Sequence, residues 1–168
     1  IASAAEMIKI RYALIPYLYS EFLKAALNDE MMFRPLAFDF PEDNTAKQAE
    51  DQLFLGNELM IAPIYKQNAQ GRYVYLPEEM IMISMKSVSD YTTAVLPAGH
   101  HYVEAPLDTL VFFIRKGKAI PFGAAADNTS QIDMSALRLL GYDGSTYELY
   151  SDNGYSPEPE DSIKITTL

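Results

Sequence analysis

Over residues 2–27 the apolar residues recur at helical rather than alternating spacing. Ala4, Ala5, Met7 and Leu23 are good helix formers, and Glu6/Lys9 and Glu21/Lys24 stand one turn apart, placed to pair. At about 100° per residue, Glu6, Lys9, Ser20, Glu21, Lys24 and Asn28 share one arc, while Ile8, Ile15, Leu18, Tyr19 and Phe22 lie across from it. Arg11 falls on the apolar side, where a buried ion pair is expected because an unpaired buried charge is costly. Ile10, Leu14 and Tyr17 spread apolar surface beyond a single stripe, the pattern of a helix covered on several sides. Pro16 lacks an N–H and is expected to bend or break the helix near its middle.

Met31 to Phe40 reads as a short strand, ended by Pro41 and the polar cluster PEDNT. Asp43 or Asn44 can cap a helix running to about Leu55, with Gly56 ending it. From Glu58 the pattern turns to β: ELMIAPIY, GRYVYLP, EMIMISMK, HHYVEAP, TLVFFIR, ALRLLGY, STYELYS and SIKITTL are short apolar or alternating runs separated by Gly, Pro, Asn or Asp. This spacing predicts an antiparallel β-sandwich or barrel, with YDGST and SDNGY as turns. Met-rich EMIMISMK reads as a buried sandwich strand. Residues 1–57 thus form a helix-strand-helix piece too apolar for a surface appendage and too small to hold its own core. Residues 58–168 form the β-rich domain.

Composition narrows the function classes. The 168 residues carry 13 basic and 23 acidic side chains, a net charge of −10, which disfavours phosphate backbones and argues against nucleic acid as a partner. Apolar runs are interrupted by Arg11, Pro16 or Lys24 well short of the roughly 20 residues of a membrane span, so no membrane partner is expected. There is no Cys, which removes disulfides, thiolate zinc sites and cysteine nucleophiles. The first residue is Ile and no signal peptide is visible, so a cytoplasmic setting is the expectation.

Candidate chemistry is sparse. His100 and His101 are adjacent, so on a strand they face opposite ways and do not converge on a metal. The Asp143, Asp152 and Asn153 group offers calcium-type oxygens, but DG and DNG read first as hairpin signals. Neither a G-x-S-x-G elbow nor a phosphate-binding glycine loop is present, and no cofactor or metal is expected.

RPLAFDFP (34–41) joins Arg34 to Asp39 through apolar residues. Period two would put Arg34, Leu36, Phe38 and Phe40 on one side of a strand and Asp39 on the other. No second carboxyl supports Asp39 convincingly as one half of an acid–base pair.

Six stretches in order, RYALIPYLY (11–19), RPLAFDFP (34–41), EDQLFLGNELMIAPIY (50–65), GRYVYLPEE (71–79), GHHYVEAPLDTLVFFIRKGKAIP (99–121) and DGSTYELYSDNG (143–154), resemble glycoside hydrolase family 31, the α-glucosidases and α-xylosidases. The resemblance implies the last helix and strand of a (β/α)8 barrel in residues 1–57, followed by the proximal C-terminal β-sandwich in 58–168. It implies a parent enzyme that hydrolyses terminal α-linked glucose from oligosaccharides with retention, on two Asp residues upstream of this chain. No catalytic residue is then expected here, and the chain alone should be inactive. In many family members a His stands where Phe38 stands and bonds the sugar in the cleavage subsite; Phe38 would give an aromatic wall instead, the one substrate-binding residue expected. Asp51 is the partner the family pattern implies for Arg34. The orphaned barrel helix should drive self-association of the chain or its parent. An α-xylosidase parent, or a non-catalytic carbohydrate-binding or structural β-sandwich using some of the twelve Tyr, are the alternatives.

Overall fold

The structure, a computed structural model, describes residues 2–156 and 162–168. Among the described residues it is mostly β, and every strand pairing is antiparallel. One helix, α1 (Ala2–Asn28), precedes β1 (Phe33–Pro35), the one-turn helices α2 (Leu36–Asp39) and α3 (Asn44–Gln48), and strands β2 (Leu53–Leu55), β3 (Leu59–Ile61), β4 (Gly71–Leu76), β5 (Met80–Met85) and β6 (Tyr91–Leu96). Next come β7 (Gly99–Glu104), β8 (Leu110–Arg115), β9 (Ala119–Phe122), β10 (Arg138–Gly141), β11 (Glu148–Ser151) and β12 (Lys164–Thr167).

Six strands form the central sheet in the order β1-β2-β3-β8-β5-β6, and three antiparallel pairs, β4–β7, β9–β10 and β11–β12, surround it. Because β2 pairs with β3, hydrogen bonds run across residue 57 from the helix-strand-helix piece into the β-rich part.

Both faces of the central sheet are covered, which explains its near-continuous apolar strands. In β8, Phe112 and Ile114 point into a core shared with α1 and with Ile120, Phe122, Leu140 and Leu149. Between them Phe113 points to a second core with Leu36, Phe54, Met60, Val74, Leu76 and Val103, under α2, α3 and the β4–β7 ribbon. The same alternation sorts EMIMISMK: Ile81, Ile83 and Met85 go to the first core and Met80 to the second. The β-sandwich expectation therefore holds, as does the long first helix.

Several local expectations do not hold. Pro16 does not break the helix, which runs on to Asn28, because Ala13, Leu14 and Tyr17 around it are buried. The strand expected over Met31–Phe40 lasts only three residues before turning helical. The helix expected to run to about Leu55 stops at Gln48, and Leu53–Leu55 pairs as a strand on both sides. Asp43 caps that short helix by accepting from the Thr45 and Ala46 N–H groups. Gly56, at φ 69°, belongs to the β2–β3 turn, where a Cβ would strike Glu21 and Tyr17. The turn YDGST joins β10 to β11, which lie in different sheets, so it is no hairpin.

On α1 the arc rich in polar residues faces inward. Ser20 and Glu21 are buried, while Ile8 and Phe22 are each 54% exposed. The pairs Lys9–Glu6 (3.0 Å) and Lys24–Glu21 (2.8 Å) form as expected. Arg11 is exposed, and among the described residues it has no carboxylate partner within salt-bridge reach. Its stem lines an apolar groove with Met7, Leu14 and Leu18, so the buried ion pair expected there is absent.

Candidate functional site

The turn expected to form a sugar-binding rim is built by the sequence PLAFDF. Pro35 fixes φ at −57° ahead of the turn, Leu36 is fully buried as its anchor, and the Phe40 N–H closes it on the Leu36 carbonyl at 3.0 Å. Helical geometry brings Asp39 back over Arg34, which strand geometry would have separated. Arg34 grips it in a forked pair, Nε to Oδ1 at 3.0 Å and Nη2 to Oδ2 at 3.1 Å. The expected separation of Arg34 from Asp39 is thus overturned. The expected Arg34–Asp51 pair is overturned as well, since Asp51 pairs with Arg72 at 2.6 Å.

A second guanidinium, Arg115 at the end of β8, also donates to Asp39 Oδ2, and its Nε reaches Glu78 Oε1 at 2.7 Å. Arg34 Nη2 further donates to the Gly56 carbonyl (3.2 Å) and to Asn57 Oδ1 (2.9 Å). Arg115 lies over the Phe54 ring at 4.4 Å. One carboxylate thereby ties β1, α2, the β2–β3 turn and β8 together. Burial raises the Asp39 pKa, but the hydrogen bonds and charges of Arg34 and then Arg115 outweigh it, and the group lies below the ordinary carboxylate range. Such a group holds no proton to donate at neutral pH, and its oxygens are already engaged. Asp39 is a structural anion that fixes the turn.

Phe38, beside it on the same turn, is 60% exposed. Arg115, Glu78 and Asn57 were not singled out in the sequence. The available signal was Arg115 itself, a charge closing the otherwise apolar run TLVFFIR, which demands a partner.

A different carboxyl carries the shift usual in acid–base sites. Glu58 is raised to about 7, first by burial and then by the neighbouring Glu21 carboxylate. It is sealed beneath α1, where Tyr17 Oη lies 3.4 Å away and Tyr147 Oη donates to Glu21 at 2.6 Å. No substrate can reach it there, so it serves the joint between α1 and the sheet. Of the remaining candidates, His101 Nε2 meets the Pro97 carbonyl at 2.8 Å, while the His100 ring packs on Tyr75 at 4.9 Å. Asp152 accepts from Tyr19 Oη at 2.8 Å and from the Gly154 N–H at 2.9 Å, and Asn153 caps the Tyr155 and Ser156 N–H groups.

An antiparallel sheet covered on both faces, with a leading helix whose outer side carries exposed apolar residues and a braced turn carrying the exposed Phe38, is a β-sandwich domain joined to a helical segment. Residues 29–120 match the glycosyl hydrolase family 31 C-terminal domain, and the chain belongs to that family. It is 31% identical over 164 residues to alpha-glucosidase 2 of Bacillus thermoamyloliquefaciens, covering 94% of this chain and 20% of that protein. Identity is 34% over 158 residues with neutral alpha-glucosidase C of Homo sapiens, covering 90% and 17%. Among solved structures, a family 31 dextranase of Flavobacterium johnsoniae complexed with glucose superposes with a TM-score of 0.75 at 26% identity, over 95% of this chain and 20% of that one. The chain spans about a fifth of the length of these relatives.

Proposed function

We propose that this chain is the C-terminal part of a retaining α-glucosidase-like enzyme that removes terminal α-linked glucose from oligosaccharides. In this reading residues 1–57 close the catalytic barrel, residues 58–168 form the β-domain behind it, and both catalytic Asp residues lie upstream. The observation that carries the reading is the turn at 36–39. Its only carboxylate is held ionised by two guanidinium groups, while the adjacent Phe38 projects into solvent. A locked anion beside a free aromatic suits a loop that positions a pocket wall and leaves proton transfer to other residues. The similarity to alpha-glucosidases supports glucose, and the aromatic Phe38 forms one wall of the sugar pocket. An α-xylosidase parent is the second reading, supported by 29% identity over 156 residues to the alpha-xylosidase of Saccharolobus solfataricus.

The outward stripe Ile8, Tyr19 and Phe22 of α1 is covered by the preceding part of the barrel in the full enzyme. In the chain alone it pairs with a second copy.

The test is an assay of the purified chain with maltose, an aryl α-glucoside and an aryl α-xyloside, in parallel with the full enzyme. The chain alone should be inactive, and the full enzyme should favour the glucoside. Robust turnover that copurifies with the chain, or a full enzyme inert on all three substrates, would overturn the proposal.

A further inference from the structure

The β4–β7 ribbon presents an aromatic surface far from the 36–39 turn in sequence and unused by the reading above. Strand alternation places Tyr73, Tyr75, His100 and Tyr102 on its outer side. Tyr73 and Tyr102 are register partners whose rings meet edge to face at 5.3 Å, and they are 71% and 56% exposed. The next pair along, Tyr75 and His100, also packs ring to ring at 4.9 Å. The inner side of the same ribbon, Val74 and Val103, is buried in the second core, so the aromatic surface is held on a fixed backing.

At one end of the ribbon, Arg72 of β4 forms an ion pair with Asp51 that lines the same concavity as Tyr73 and Tyr102. Arg72 bonds Asp51 at 2.6 Å and donates to the Pro63 carbonyl at 2.8 Å, which fixes the guanidinium. Tyr65 donates its hydroxyl to Asp51 Oδ2 at 3.1 Å, and its ring is 68% exposed. Two concavities, about 350 Å³ and about 320 Å³, flank this pair, and both are lined by Asp51, Arg72 and Tyr73. Tyr65 and Tyr102 complete the lining of the first, the groove that presents aromatic faces on either side of the ion pair, and Tyr75 and His100 that of the second.

Exposed Tyr rings are apolar bodies with polar tips, and they leave large apolar area in water unless something stacks on them. A pyranose ring offers the matching surface, one C–H face for an aromatic ring and a rim of hydroxyls for a carboxylate and a guanidinium. Single-stranded nucleic acid could also stack here, but the chain's net charge of −10 and the carboxylate at the groove's centre oppose a phosphate backbone. We infer that the groove between Tyr65, Tyr73 and Tyr102, centred on the Asp51–Arg72 pair, is a non-catalytic binding site for a neutral α-linked gluco-oligosaccharide. The choice of α-linked glucose rests on the proposed function; the sugar class rests on the groove alone. Such a site would hold a long substrate near the enzyme while its end is cleaved elsewhere.

The chain contains no Trp, so its fluorescence is that of its twelve Tyr, three of which line the groove. Titration of the 168-residue chain with maltoheptaose and with cellohexaose should give a saturable change with maltoheptaose. Tyr73→Ala and Tyr102→Ala should each weaken it about tenfold, as truncated aromatic anchors do. Tyr102→Phe, which keeps the ring, should bind as the parent does. So should Tyr155→Ala, an exposed Tyr elsewhere. The alanine variants alter exposed side chains, and unchanged thermal midpoints would show that their folds persist. The inference is overturned by no saturation up to about 10 mM of sugar, by binding that ignores both alanine changes, by binding of cellohexaose alone, or by sedimentation in which Tyr73→Ala dissolves a dimer and leaves sugar binding intact. A failure of the proposed function would instead appear as missing or misdirected hydrolysis by the full enzyme, a separate readout.

Discussion

At the scale of single residues, Asp39 and Phe38 exchange the roles their types suggest. The carboxylate is consumed by structure and the aromatic is left free. Removing the charge should therefore cost stability rather than chemistry. Asp39→Asn leaves Arg34 and Arg115 facing each other with a neutral acceptor between them, and a loss of about 2 kcal/mol is expected from urea unfolding. A variant as stable as the parent would show that the two guanidinium groups find solvent or other partners at no cost. Phe38→Ala makes the opposite prediction. Because the ring is mostly exposed, unfolding should shift by less than about 0.5 kcal/mol. In the full enzyme KM for maltose should rise with the fold intact, and unchanged kinetics would remove Phe38 from the pocket. The sequence made Phe38 visible through its place in RPLAFDFP, but it hid the pairing of Arg34 with Asp39. That contact depends on four residues adopting a helical turn where their alternation reads as strand, and the deciding force is the burial of Leu36 together with the forked ion pair.

At the scale of elements, α1 is the most informative. Its outward residues Ile8, Tyr19 and Phe22 are apolar, while Ser20 and Glu21 are buried against β11 and the β2–β3 turn. A helix in this state is braced on the side that a hydrophobicity plot would leave in water. Two substitutions separate its faces. Ile10→Ala, in the core, should cost about 2–5 kcal/mol. Phe22→Ser should cost almost nothing to the isolated chain and should reduce its self-association in sedimentation equilibrium. Equal destabilisation by both would mean that the outer face already has a partner within the chain. Most strands were legible because β5 and β8 are buried on both faces and so read as apolar runs. β6 was missed because YTTAVL, largely exposed at the sheet edge, lacks an apolar run, and β9 because AIPF is short and contains a proline. The inward turn of Glu21 had no local signal, since its partners Tyr147 and Asn57 lie 126 and 36 residues away.

At the scale of the whole molecule, those same long-range contacts make stability depend on pH in two separate windows. Glu58 is raised to about 7 by burial first and then by Glu21, against Lys24, Lys118 and the Tyr17 hydroxyl, which oppose the rise. Its ordinary value is 4.5, so between about pH 4.5 and 7 the unfolded chain gives up this proton and the folded one keeps it. This contribution is complete below about 4.5, falls as pH rises and levels off above about 7, a change on the order of 3 kcal/mol. Asp39 works in the other direction. Its folded pKa lies below 3.8, so its contribution is present above that value and is lost as pH falls through the folded pKa. The two together place maximal stability of the chain between pH 3.8 and 4.5, where the Asp39 contribution is present and Glu58 is protonated in both states. Urea midpoints should therefore drop from pH 5 to pH 7.5 and drop again as the pH falls below 3.8. Glu58→Gln, which keeps the shape of the neutral side chain, should remove the first decline and raise the midpoint at pH 7.5, while leaving the acid-side loss in place. A midpoint that holds level from pH 5 to 7.5, or a decline of the same size in Glu58→Gln, would mean that the joint between α1 and the sheet accommodates both charges.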